Sequence, residues 1–208
     1  MLPLGSEIII ATRNKGKMKE FEPMFLQQGI TVRSLLDYPE LPDIVEDGDT
    51  FAANALIKAR AVALRFGVPA VADDSGLCVD RLGGDPGVYS ARYAGEPSDD
   101  AANNRKLLAE LAKLDGADSP AGPTQLSPAR FVCAIALVDR TGRPVAEVEG
   151  SCEGVIIGEP RGEHGFGYDP LFYIPEQGRT MAELTVSEKN GLSHRAQALG
   201  KLWETLSR

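Results

Sequence analysis

Three isoleucines run together in Glu7-Ile8-Ile9-Ile10-Ala11, and a stretch this rich in β-branched side chains predicts a buried strand. It empties into the polar turn Thr12-Arg13-Asn14-Lys15-Gly16-Lys17 and then a helical segment, which Pro23 is expected to delay or to kink. Farther on, Phe51, Ala55, Ala59 and Val62 recur at helical spacing, so residues 51–66 read as a helix capped by Asp49 or Thr50 and stopped by Gly67. A second apolar run, Val68-Pro69-Ala70-Val71-Ala72, predicts a strand ending at a turn, Asp73-Asp74-Ser75-Gly76, with Leu77-Cys78-Val79 as a separate short strand beyond it. Leu107, Leu108 and Leu111 mark the inner face of a helix over 101–114, behind the cap Ser98-Asp99-Asp100. Residues 131–138 and 145–157 read as two long strands joined across Thr141-Gly142, a hairpin by its spacing. Thr185-Val186-Ser187-Glu188 is a capping box, and Ser193 can cap a last helix running to Leu206. The connections at 36–48 and 115–127, rich in turn formers and acids, read as surface loops. The order is that of an α/β fold with an antiparallel portion.

At 208 residues, with 43% hydrophobic and 25% charged positions, the chain has an ordinary globular make-up, one large domain or two small lobes. No stretch approaches the roughly 20 apolar residues of a membrane span, and Met1-Leu2-Pro3-Leu4-Gly5 lacks the basic start and apolar core of a signal peptide; a soluble, cytoplasmic protein is expected. A net charge of −8 argues against a nonspecific partner among nucleic acids or membrane surfaces. Cys78, Cys133 and Cys152 are widely spaced without a C-x-x-C pair, which suggests neither a disulfide framework nor a zinc site and predicts reduced residues in or near the core.

Adjacent carboxylates at Asp73 and Asp74 repel each other and must lose water, which is tolerated most easily when a hard cation such as Mg2+ sits between them and a phosphate. The same residues also suit a plain turn. The segment at 12–17 has two readings as well: a cradle whose backbone N–H groups and Lys17 receive phosphate at a helix start, or a capping residue followed by solvated lysines. Glu46 can be a third carboxylate for a cation, and Lys58 a counter-charge or a phosphate ligand; each also reads as a surface residue. In Gly162-Glu163-His164-Gly165-Phe166-Gly167-Tyr168-Asp169-Pro170, flexible backbone around a ring suits stacking on a heteroaromatic base, or an Ω-like loop packed on Tyr168 and Phe172. His194 and Arg195 occupy a helix's first turn, where cations are disfavoured, and beside Lys189 they hint at service to something anionic or carbonyl-bearing; two exposed basic residues are the alternative.

Taken in order, Thr12-x-Asn14-x-x-Lys17, Glu46 ahead of Phe51-x-x-Asn54-Ala55-x-x-Lys58-Ala59, Ala72-Asp73-Asp74-Ser75-Gly76-Leu77, Gly84-x-Pro86-Gly87, Ser90-Ala91-Arg92, Gly165-Phe166-Gly167-Tyr168-Asp169-Pro170 and Ser193-His194-Arg195 resemble the inosine triphosphate pyrophosphatase family. Its members hydrolyse non-standard purine nucleoside triphosphates to the monophosphate and pyrophosphate. The resemblance covers nearly the whole chain and is poorest at 115–127. It implies one domain over 1–208, an elongated α/β structure with a mixed central sheet, two lobes with the active-site cleft between them, and pairing as a homodimer. It implies that Thr12, Arg13, Asn14, Lys15, Gly16 and Lys17 cradle the triphosphate, and that Asp74 is proton acceptor and magnesium ligand with Glu46 and Asp73 completing the metal site. Lys17 and Lys58 would support catalysis. Ser75 and Lys189 would contact substrate, Phe166, Gly167, Tyr168 and Asp169 would hold the nucleoside, and His194 with Arg195 would read the base. Two other readings compete: a Maf-type nucleotide pyrophosphatase with a different base preference, and a non-catalytic nucleotide-binding module. From the acids alone, a sugar-phosphate phosphatase is a third.

Overall fold

The computed structural model describes residues 5–114 and 124–207. In chain order the elements are β1 (Glu7–Ile10), α1 (Lys15–Leu26), β2 (Thr31–Ser34), α2 (Phe51–Phe66), β3 (Ala70–Val79), α3 (Asp100–Ala112), β4 (Gln125–Val138), β5 (Pro144–Ile157), β6 (Phe172–Ile174), β7 (Arg179–Thr180), α4 (Val186–Leu192) and α5 (His194–Leu206). They form an α/β fold on a mixed sheet of order β2-β1-β3-β4-β5-β6-β7. Strand β1 runs parallel to β2 and β3, and β6 runs antiparallel to β5 and β7. The chain divides into two compact units, one reaching Asp74 and including Cys133–Gly150 and the C-terminal segment from Arg195, the other Ser75–Val132 and Ser151–His194.

In the first unit the sheet is apolar on both faces, which is why Ile8, Ile9 and Ile10 run without a polar break. Ile8, Ile10, Val71, Cys133, Ile135 and Leu137 pack with Phe21 and Phe25 of α1 and Leu199 and Leu202 of α5. Their strand neighbours Ile9, Ala70, Ala72, Ala136 and Val138 point the other way and pack with Ala55, Ala59, Val62 and Ala63 of α2. Small side chains on that second face let α2 lie close to the strands. Helix α2 has the expected bounds: Thr50 accepts a hydrogen bond from the Ala53 N–H, and Gly67 ends it in the left-handed region at φ 68°.

The second unit has its own core of Leu77, Val79, Leu107, Leu111, Phe131, Tyr168, Leu171 and Phe172. The capping box at the start of α4 forms as expected, with Thr185 and Glu188 exchanging side-chain and backbone hydrogen bonds. Cys133 and Cys152 are buried and Cys78 is half-buried, all three as free thiols.

Several expectations are corrected. Residues Ala70–Val79 form one continuous strand, so the paired aspartates stand inside a strand and not at its end. Strand β4 starts at Gln125, well before the expected 131, and so takes in the end of the expected 115–127 loop; residues 115–123 lie outside the described residues. Pro23 sits inside α1 without delaying its start, because Asn14 caps that helix upstream. Among the described residues no helix is long and apolar enough to cross a membrane.

Candidate active site

Successive side chains on a strand point to opposite faces, and β3 applies that rule to two carboxylates. Asp73 follows Val71 toward α1 and α5, where it is almost fully buried. Its Oδ2 lies 2.8 Å from Lys17 Nζ and 3.4 Å from Arg195 Nε, and Arg195 Nη1 reaches Glu20 at 3.0 Å. Burial pushes the Asp73 carboxyl up, but the Lys17 ammonium and the Arg195 guanidinium more than reverse this and hold it well below the ordinary carboxylate range.

Asp74 points to the α2 face. Its Oδ2 accepts a hydrogen bond of 3.1 Å from Asn54 Nδ2, and its Oδ1 lies 3.6 Å from Lys58 Nζ, which also contacts Glu46 at 2.7 Å. Asn54 is buried, and its amide is oriented from behind, since the Gly48 N–H donates to its Oδ1 at 2.8 Å. A Cβ at Gly48 would stand 2.7 Å from that oxygen, so a close approach requires glycine there. The Asp74 carboxyl is raised by burial, against the pull of Lys58, with Glu46 raising it further and the Asn54 bond lowering it. Lys58 loses by burial but gains more from Asp74, Asp73 and Glu46, so its pKa is raised and it stays charged.

The turn at 12–17 resolves into side-chain caps. Thr12 Oγ1 accepts from the Asn14 N–H at 3.1 Å, and Asn14 Oδ1 accepts from the N–H groups of Gly16 and Lys17 at 2.7 and 3.2 Å. The expected free row of backbone donors is therefore partly taken by Asn14, leaving Lys17 as the directed cation and Lys15 exposed. Arg13 donates to the carbonyls of Leu35 and Leu41 and pairs with Asp43 at 3.4 Å, tying down the acidic connection before α2.

In the second unit the Phe166 loop is held from below. The Phe166 N–H donates to Asp169 Oδ2 at 3.0 Å, and Lys189 Nζ contacts the same oxygen at 2.6 Å while lying 5.7 Å from the centre of the Phe166 ring. The ring is 49% exposed. Tyr168, expected to hold the nucleoside, is instead buried, and its hydroxyl donates to the Ser90 carbonyl at 2.8 Å. Tyr168 is thus packed as the Ω-like reading has it, while the Phe166 ring lies open to solvent. His194 stacks on Phe131, centroids 5.0 Å apart. Ser75 is half-buried on β3.

The expected metal triad is not assembled. Glu46 and Asp74 meet on Lys58, Asp73 faces away with two cations of its own, and among the described residues no three His, Cys, Asp or Glu side chains converge on one ion. Arg195, expected to read the base, is buried with Asp73 and Glu20 as charge partners, which accounts for a cation in the first turn of α5. Asn54, quoted above only as part of a motif, and Glu20 are not among the expected site residues. Asn54 had a signal: a lone amide on the apolar stripe of α2 must find a buried partner.

The sequence model of the Ham1 family matches residues 8–205. The chain is similar to the dITP/XTP pyrophosphatase of Geobacillus kaustophilus, 56% identical over 203 residues, covering 96% of this chain and 95% of that one. It is 53% identical over 201 residues to the dITP/XTP pyrophosphatase of Shouchella clausii, covering 97% and 96%. Among solved structures it is similar to a HAM1 protein from Coxiella burnetii, with TM-score 0.86, 42% identity and 100% and 99% of the two chains covered. The Staphylococcus aureus Ham1 protein matches with TM-score 0.84, 38% identity and 97% and 98% covered.

Proposed function

Because the chain belongs to the Ham1 family, we propose that it hydrolyses non-standard purine nucleoside triphosphates, ITP, dITP and XTP, to the monophosphate and pyrophosphate. The observation that carries this reading is the cluster on the α2 face of β3: a carboxyl raised by burial, aimed by a locked amide and faced by a charged lysine. Water attacks the α-phosphorus, and Asp74 orients it and takes its proton. Lys58 and Lys17 balance the charge that grows on the departing pyrophosphate, Lys17 from its place at the start of α1. No covalent intermediate is needed.

Glu46 and Asp74 form a pair of oxygen donors of the kind that holds a hard cation together with substrate phosphates. Magnesium there would neutralise phosphate oxygens and lower the pKa of bound water. Asp73 serves differently, fixing Lys17 and Arg195 by charge.

The Phe166 ring supplies a face for the base, in a loop that Asp169 and Lys189 support. Inosine and xanthosine carry a 6-keto acceptor where adenosine carries an amino donor, so a donor at the start of α5, on His194, favours the former, while the Arg195 guanidinium is engaged by Asp73 and Glu20. Assembly as a homodimer is part of this proposal, and a solution mass twice 22.3 kDa would support it.

The test is a nucleotide panel with magnesium in which pyrophosphate and orthophosphate are both measured. Pyrophosphate from ITP, dITP and XTP well ahead of ATP and GTP is the expected result. Release of orthophosphate points to a phosphatase, and preference for dTTP or UTP to a Maf-type specificity.

A further inference from the structure

We propose that Asp100 and Asn104 are positioning residues for the base, clamping the peptide of Gly167 so that the neighbouring Phe166 ring is held out as a stacking face. The inference rests on the assignment of Phe166 to the nucleoside.

An exposed ring on a glycine-flanked loop is useful for stacking only if its backbone is fixed, and nothing about an exposed ring fixes it by packing. Gly167 takes a left-handed φ of 62°, so its backbone conformation must be held by its neighbours. Two side chains of α3 hold it. The Gly167 N–H donates to Asp100 Oδ2 at 2.7 Å, and Asn104 Nδ2 donates to the Gly167 carbonyl at 3.0 Å. Residues four apart on a helix share a face one turn apart, so an acceptor at 100 and a donor at 104 match the two ends of one residue's backbone. With Asp169 accepting from the Phe166 N–H, the ring's own residue and the one after it are both tied.

The choice of asparagine argues for function over stability. Asn104 stands three and four residues before the inward-facing Leu107 and Leu108, at the edge of the apolar stripe of α3. Among the described residues its buried Oδ1 has no hydrogen-bond partner. An unpaired buried acceptor is a cost that leucine at this position would not carry.

Three full-length variants test the clamp, Asn104→Leu, Asp100→Ala and Asp100→Asn, with kcat and KM measured for ITP and ATP and the melting temperature recorded for each. Stacking is made equally in ground and transition states, so its loss raises KM and spares kcat. Asn104→Leu is expected to melt no lower than wild type, to raise KM about tenfold, and to change kcat by less than about threefold, with the same factor for both nucleotides. Asp100→Asn, whose amide oxygen can accept the same N–H, should lose less than Asp100→Ala. An unchanged KM in Asn104→Leu overturns the proposal, as does a melting temperature that falls with the activity. A loss confined to ITP also overturns it, since Asn104 would then read the base itself. If wild-type enzyme releases no pyrophosphate from ITP, the nucleoside role of Phe166 falls and the clamp with it; if wild type is active and the variants match it, the clamp alone is wrong.

Discussion

Two neighbouring aspartates of one strand live in opposite electrostatic worlds. Asp73 contacts the Lys17 and Arg195 cations and is kept ionised, whereas Asp74 is half-buried near Lys58 and Glu46 and is pushed up, chiefly by burial. Replacing Asp73 by Asn leaves Lys17 and Arg195 without their buried counter-charge, which is expected to destabilise the fold by about 3–5 kcal/mol in urea unfolding near neutral pH. The sign of its pH dependence follows from linkage. The folded value lies below the ordinary 3.8, so on acidification the unfolded chain takes the proton first. The stabilisation is complete above 3.8 and is lost as pH falls below it toward the folded value. The gap between wild type and Asp73→Asn should therefore be constant at neutral pH and shrink only in strong acid. A variant as stable as wild type at neutral pH would mean the cluster contributes no net stabilisation.

At the scale of elements, the site depends on how closely α2 approaches β3. Ala55, Ala59 and Ala63 are completely buried against the sheet, and that spacing sets the reach from Asn54 and Lys58 to Asp74. Ala59→Leu overfills the interface and should cost about 1–3 kcal/mol. By moving α2 outward it should also lower kcat more than it raises KM for ITP, and an unchanged kcat in a destabilised protein would separate the packing from the chemistry. Helix α2 was legible to the residue because period, cap and stop signal agree along it. The unbroken strand through Asp73 and Asp74 was not, because local sequence reads Asp-Asp-Ser-Gly as a turn and only pairing within a sheet overrides that preference. Strands β2, β6 and β7, of four, three and two residues, are too short to carry a period at all.

At the scale of the whole molecule, Asp73, Asp74, Glu46, Lys17 and Lys58 belong to the first unit, and the Phe166 loop with Asp169 and Lys189 to the second. The residues of each set could be named from the chain, but their partners could not: Glu20 and Arg195 meet across 175 positions, and Gly167 meets Asp100 across 67. Nothing local to either residue encodes such a meeting. The sequence also shows which residues are acidic without showing which way each one faces, and that direction separates Asp74, beside Lys58 and Glu46, from Asp73, beside Lys17 and Arg195. The decisive measurement is turnover of ITP by Asp74→Asn at saturating magnesium, alongside its affinity for the nucleotide. An amide keeps the shape and the Asn54 neighbourhood but removes the proposed base, so kcat should fall by at least ~10²-fold while the fold and much of the nucleotide binding persist. A variant that retains more than about a tenth of wild-type kcat contradicts the role given to Asp74, since removing a general base costs at least ~10²-fold.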